Sequence, residues 1–344
     1  MKYIAGKILT DKGFKKGYVK VSMNKIIEMS FGSCPKTPDL RGLITPSFVN
    51  MHTHLGDAFI SQKNINLPHD IMKLVAPPDG LKHQLLKKST DDEIIKGMKK
   101  AIQTMISDGT SCFFDFRENG EHGINLIKTA LEHFPIESFI LSRPKELQVD
   151  ENEILRLLNI SEGIGLSSIS DWEFEDVEQI ASMTKKRKKI FSIHVSERIR
   201  EDINKIIKLQ PDYIIHMTKA SKKDLLLIKK ENIPIVVCPQ SNTFFNMFPP
   251  LELMKNIGNI ILLGTDNAMI NPPKIIDEIN HIKNITPNVF NNEDLLEMIT
   301  YIPRKVLNLN DYMQDAKFLS SNYMILDERT LQPIVNELVG SEII

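Results

Sequence analysis

Eight short apolar segments punctuate the middle of this 344-residue chain, at 42–50, 110–116, 136–142, 163–169, 190–195, 213–217, 234–238 and 260–265. Continuous apolar runs of this kind suit strands covered on both faces. Helical patterns lie between them. The clearest opens on Thr90-Asp91-Asp92-Glu93, a capping box, and carries Ile94, Ile95, Met98, Ile102, Met105 and Ile106 on one stripe before Gly109 stops it. A second opens at Ser221-Lys222-Lys223-Asp224, and a third covers 294–307. Strand and helix alternating in this way predict an α/β fold whose parallel strands close into a TIM-type (β/α)8 barrel. The rival is an open doubly wound sheet. It usually carries a glycine-rich phosphate loop, and neither G-x-G-x-x-G nor G-x-x-x-x-G-K-[ST] occurs.

The two ends of the chain read differently. Short strand patterns at 3–9, 17–21 and 25–29 are too few to bury a core alone. The other end offers matching patterns at 318–319, 323–327 and 333–335. The expected arrangement is a barrel over 43–308 and a small β-sandwich domain built from 1–42 and 309–344. The stretch 55–89 is a long connection after the first barrel strand, placed to cover the barrel mouth as a lid.

Charge is nearly balanced, at −1, so nothing draws the whole chain toward nucleic acid or an anionic membrane. The one basic run, Lys185-Lys186-Arg187-Lys188-Lys189, closes a predicted helix, where cations complement the dipole. Three well-separated cysteines, Cys34, Cys112 and Cys238, fit a reducing compartment and no disulfide framework. The N-terminal residues lack a signal-peptide core and no apolar run is long enough to span a bilayer, so the expected location is the cytoplasm. The expected partner is a small molecule; a homodimer stays open.

The chemistry sits in the histidines, of which there are nine. His52 and His54 end the first strand, and a spacing of two puts them on one side. His194 ends the fifth strand, His216 the sixth, and Asp266 the eighth. Strand ends on one face of a barrel converge, so these five residues should meet at its mouth. Imidazoles with a carboxylate are the donor set of Zn²⁺ or a similar ion that keeps a position for water. A single histidine is more often a buried, hydrogen-bonded side chain, but several at separate strand ends favour a metal. His133 and His281 are expected at the surface. His69 and His83 lie in the mouth segment, and Arg117 or Glu118 follows the second strand toward the pocket.

Asn50-Met51-His52-Thr53-His54, the His194 and His216 strand ends and Gly264-Thr265-Asp266 resemble the metal signature of the amidohydrolase superfamily. His194-Val195-Ser196-Glu197 and Cys238-Pro239-Gln240-Ser241-Asn242 are similar to motifs of its mononuclear deaminase branch. That branch includes cytosine, guanine and S-adenosylhomocysteine/methylthioadenosine deaminases and triazine hydrolases. The likeness covers essentially the whole chain. It implies one divalent ion, Zn²⁺ with Fe²⁺ as the alternative, on His52, His54, His194 and Asp266. It also implies that His216 touches the attacking water or the tetrahedral oxygen, or ligates the metal, and that Glu197 shuttles a proton. A divalent cation makes hydroxide available near neutral pH, and a leaving amine needs a nearby acid. No lysine lies on the fourth strand to bridge a second metal.

The implied function is deamination of an N-heterocycle, a purine, pyrimidine, pterin or related ring, by metal-bound hydroxide. Hydrolysis of a cyclic amide, imidazolone or chloro-heterocycle at the same site is the alternative, and a barrel that binds without turnover is a third. Expected substrate contacts are His83, Arg117, Glu197 and Asn267. Two departures weigh against a nucleoside. Ser170-Asp171-Trp172 stands where the S-adenosylhomocysteine and methylthioadenosine deaminases carry a substrate-facing histidine, and 68–80 has no counterpart of their acidic residue.

Overall fold

The structure is a computed structural model in which residues 1–23, 25–307 and 323–336 are described. Four strands come first: β1 (Lys2–Thr10), β2 (Gly13–Ser22), β3 (Lys25–Phe31) and β4 (Leu40–Pro46). Nine follow, each but the last two separated from the next by helix: β5 (Phe48–His54), β6 (Thr110–Arg117), β7 (Glu137–Ser142), β8 (Gly163–Leu166), β9 (Ile190–Val195), β10 (Tyr213–His216), β11 (Ile235–Val237), β12 (Ile261–Leu263) and β13 (Asp266–Asn267). Then come β14 (Tyr323–Leu326) and β15 (Pro333–Asn336).

Both ends of the chain share one six-stranded sheet, ordered β15-β14-β4-β1-β2-β3. Within it β4 runs parallel to β1 on one side and antiparallel to β14 on the other. Ile4, Ile8, Val19, Ile44, Tyr323 and Ile325 form its buried cluster. The strand expected at 318–319 lies outside the described residues.

The other nine strands form one parallel sheet, ordered β12-β11-β10-β9-β8-β7-β6-β5-β13. Its two edges, β12 and β13, are successive pieces of one short segment, so the sheet curls until its edges meet, as in a TIM-type barrel. The Gly264 N–H donates to Val237 O (3.1 Å) on one side of the seam, and the Thr265 N–H to His52 O (3.0 Å) on the other. Asn50 clamps the closure: its Nδ2 donates to Thr265 Oγ1 at 2.8 Å and its Oδ1 accepts the Thr265 N–H at 3.2 Å. Gly264 is required here, since a Cβ would fall 2.6 Å from the His52 Cβ.

The helix Asp91–Asp108 starts on the Thr90/Glu93 capping box and ends at Gly109, whose φ of 98° only glycine adopts freely. Ser221 and Asp224 cap the helix Lys222–Lys230 in the same way. Three local features differ from expectation. The apolar run at 42–50 belongs to two strands in two sheets. Pro46 has no N–H to continue a ladder, and two residues on the Phe48 N–H bonds Gly109 O (2.9 Å) in the barrel. The helix expected over 294–307 is two, Asn292–Glu297 and Tyr301–Val306, because Pro303 cannot donate back to residue 299. The mouth segment is largely helical, with a 3₁₀ stretch Leu55–Gln62 and helices Ile71–Leu74 and Leu81–Lys88. Leu55 to Ile60 are all buried. Among the described residues no helix is long and apolar enough to cross a membrane.

Candidate active site

The five strand-end residues meet at the barrel mouth. One ligand atom each from His52, His194, His216 and Asp266 lies within 4.8 Å of the others, and all four side chains are buried. His54 adjoins this group, with Nε2 at 3.4 Å from His194 Nε2 and 3.6 Å from Asp266 Oδ1. His52 Nε2 stands 3.3 Å from Asp266 Oδ1. Three of the positioning residues have a backbone that side chains rarely adopt: Ser196, His216 and Asp266 have φ of 48°, 76° and 60°. Such strain persists only where the surroundings over-determine it.

Hydrogen bonds set the imidazole tautomers. His194 Nδ1 lies 2.7 Å from Leu166 O, so it carries the proton and leaves the Nε2 lone pair for the cluster. His216 is the opposite case. The Asn242 amide donates to its Nδ1 (3.1 Å), which leaves the hydrogen on Nε2, 3.3 Å from Glu197 Oε1. Burial lowers the His54 pKa to about 3 and that of His216 to about 4, and it holds His194 well below its usual value. All three therefore stay neutral; His54 and His194 have a lone pair to offer the cluster, while that of His216 is taken by Asn242. Both ring nitrogens of His52, and Asp266 Oδ1, are buried without a hydrogen-bond partner. Orphaned polar atoms of this kind are rare in folded proteins. His52 Nε2 and Asp266 Oδ1 face each other and fit a divalent cation, which would satisfy both.

Second contacts fix the rest. Ser241 Oγ donates to Asp266 Oδ2 at 2.6 Å. Glu278 accepts both the backbone N–H and the side-chain amide of Gln240, each at 3.0 Å, and so anchors the Cys238-to-Asn242 turn. Phe116 packs edge-on against His52, with ring centroids 4.5 Å apart. Burial pushes the Glu197 carboxyl well above its usual value, and the nearby Asp266, Asp171 and Glu201 add to this.

The cavity beside the cluster is small, about 80 Å³, and His54, Lys82, Arg143, Asp171, Glu197 and Asn267 are among its walls. Two residues expected near substrate lie elsewhere. His83 and Arg117 line a neighbouring cavity of about 380 Å³. Arg117 is drawn there by Asp115 and Glu118. His83 follows Lys82 on its helix, where successive side chains point about 100° apart, and Lys82 is the one that faces the cluster. His69 bonds Phe244 O (2.7 Å) at an exposed position, and His281 bonds Thr243 Oγ1 (2.8 Å). Lys82 and Arg143 carried no sequence signal. Lys82 stands in the first turn of its helix and Arg143 just past β7, where solvated cations are common.

Residues 43–313 match the family model described as "Amidohydrolase family". The chain belongs to the amidohydrolase family. As an amidohydrolase it is a hydrolase of C–N bonds. It is 34% identical over 329 residues to an uncharacterized protein of Methanocaldococcus jannaschii, covering 89% of this chain and 81% of that one. It is 22% identical to a 5-methylthioadenosine/S-adenosylhomocysteine deaminase of Thermococcus onnurineus, covering 95% and 86%. The amidohydrolase barrel also superposes on 5-methylcytosine deaminase from Klebsiella pneumoniae liganded with phosphonocytosine, with a TM-score of 0.75, 13% identity, and 97% and 98% of the two chains covered. That likeness bears on the fold.

Proposed function

We propose that this amidohydrolase uses one divalent ion to release ammonia from a small N-heterocycle, a purine, pyrimidine, pterin or related ring. The observation that carries the reading is Glu197, set against the His-Asp cluster with its Oε1 3.3 Å from His216 Nε2 and 3.5 Å from Asn242 Nδ2. A carboxyl group whose pKa is raised by burial can both accept a proton and return it near neutral pH. In this reading His52, His54, His194 and Asp266 hold the ion, with Zn²⁺ the first choice. When bound, such an ion activates water and polarises the carbon under attack.

The protein groups do the rest. Glu197 takes one proton from the attacking water and delivers it to the ring nitrogen, then takes the remaining hydroxyl proton of the tetrahedral adduct as the carbonyl forms and gives it to the departing amine, which leaves as ammonia. His216, kept as the Nε2–H tautomer by Asn242, donates to the developing oxygen. Asn267 orients the ring at the cavity wall, while His83 and Arg117 reach only a substrate that extends into the larger cavity. The Thermococcus relative's name supports loss of an amino group. Asp171 at the cavity wall, where nucleoside-acting relatives carry a substrate-facing histidine, favours a free base over a nucleoside. We read the nine-stranded barrel as the catalytic part and the sheet shared by the two chain ends, which keeps residues 43–46, as a small flanking β domain, acting in the cytoplasm.

Ammonia release should appear for one member of a panel of free bases, pterins and nucleosides. Glu197→Gln should lower it by roughly 10²- to 10⁴-fold with metal content unchanged. Ring opening without ammonia would shift the reading to cyclic-amide hydrolysis, and full activity in Glu197→Gln would refute both.

A further inference from the structure

We infer that Glu118 is the positioning residue of His54, and that Lys82 of the mouth segment locks Glu118 in place, so that seating that segment and orienting the imidazole are one event. The inference rests on the metal-site reading above and deepens it. Glu118 directly follows β6. Its Oε1 lies 2.8 Å from His54 Nδ1 and 2.6 Å from Lys82 Nζ. Its Oε2 accepts from the Arg117 guanidinium, which also sits 3.3 Å from Asp115 Oδ2. Glu118 Oε1 is the acidic oxygen beside His54 Nδ1 and favours a proton there, which leaves the Nε2 lone pair directed at His194 Nε2 and Asp266 Oδ1. Which ring nitrogen carries the proton is set by the bond the other side makes.

Lys82 acts through these groups and not on a substrate. Besides Glu118, its Nζ lies 3.2 Å from Asp57 Oδ2 and 3.1 Å from Asn267 Oδ1. Three oxygens thus surround the ammonium, one of them in a hydrogen bond, and they hold the side chain at the wall of the cavity. The three partners come from separate places: Asp57 from the 3₁₀ stretch, Glu118 from the end of β6, and Asn267 from β13, beside Asp266. The side chains of Lys82, His54 and Glu118 are 3%, 5% and 6% exposed, so water does not screen the assembly. A carboxylate buried to this degree is costly unless paired. Lys82 on one oxygen and Arg117 on the other provide that pairing. The same β6 end fixes the backbone too, since Asp115 Oδ1 accepts the Leu55 N–H (2.7 Å), one residue past His54.

The test uses the full chain labelled with nitrogen-15 histidine and stripped of divalent ions. The imidazole tautomer is read by nitrogen–proton correlation, and Zn²⁺ affinity by competition with a chromophoric chelator. Wild-type protein should show His54 as the Nδ1–H form. Glu118→Ala should lose that signature and bind Zn²⁺ roughly 10- to 100-fold more weakly. Glu118→Gln, which keeps an acceptor oxygen, should restore part of both. Lys82→Met should weaken Zn²⁺ in the same direction and open residues 63–80 to protease. If a single variant fails to fold, Lys82→Met/Glu118→Gln removes both charges together and should recover folding without recovering Zn²⁺ affinity. Wild-type protein that binds no Zn²⁺ would sink the functional reading but leave the tautomer to judge this inference. An unchanged tautomer with unchanged affinity in Glu118→Ala, or wild-type affinity in the folded double variant, would overturn it.

Discussion

Gly165, in the middle of β8, allows the His-Asp cluster its shape without touching it. A Cβ built there would lie 2.5 Å from Phe116 Cδ1 and 2.7 Å from Cε1. Carbon atoms rest at about 3.5–4.0 Å, so Gly165→Ala forces the ring back by about 1 Å. Phe116 is fully buried, and the rings it would meet are His52 at 4.5 Å and His194 at 5.2 Å between centroids. Overpacking of this kind costs about 1–3 kcal/mol. Functional constellations tolerate displacements of about 0.5 Å, so a shift passed on to His52 should also weaken Zn²⁺ at least tenfold, or about 1.4 kcal/mol. Urea denaturation of the metal-free protein reads the first effect and chelator competition the second. Adding Phe116→Leu returns space and should recover most of both losses. A Gly165→Ala protein with wild-type stability and Zn²⁺ affinity would refute the reasoning, as would a double variant no better than the single one.

Other expectations follow from single contacts. Ser241→Ala removes the donor to Asp266 Oδ2; a bond to a charged group contributes about 1.5–3 kcal/mol, and the loss should appear in Zn²⁺ affinity measured by chelator competition. Asp108 is buried at the helix end before Gly109, and burial raises its pKa from 3.8 to about 7. The folded state therefore holds a proton that the unfolded state releases, so this group's contribution to stability falls as pH rises from about 4 to about 7 and is flat beyond. The loss is about 4 kcal/mol at about 1.36 kcal/mol for each pH unit. Asp108→Asn should flatten that decline in denaturation midpoints measured across pH 4–8. Finally, Zn²⁺ at 100 times its dissociation constant should stabilise the folded chain by about 2.7 kcal/mol, and a thermal midpoint indifferent to Zn²⁺ and chelator would contradict a bound ion.

Much of this was legible in the residues. Strand ends bearing His52, His54, His194, His216 and Asp266 could be aligned because barrel strands converge, whatever lies between them. The Thr90/Glu93 box and Gly109 bounded their helix by local chemistry alone. What could not be read depends on distance in the fold. Lys82 and its acceptor Asn267 are 185 positions apart, and a lysine between Leu81 and His83 has the look of any solvated helix cation. The positive φ at His216 and Asp266 carries no residue-type signature, because the strain is imposed by neighbours. The division of the 42–50 run between two sheets depends on which partner strand claims each half. His83 and Arg117 were sound candidates by type, but helix phase turned one away and two carboxylates captured the other.

The shared sheet of the two chain ends sets an order of events during synthesis. β4 has β1 on one flank at once, but its other flank waits for β14, more than 270 residues later in the chain. Until the ribosome has released that final portion, β4 presents open backbone donors and acceptors, the kind of rim on which foreign strands nucleate. Chains truncated before Tyr323 should consequently fail by aggregation and not by loss of the His-Asp cluster, whose residues have all emerged by then.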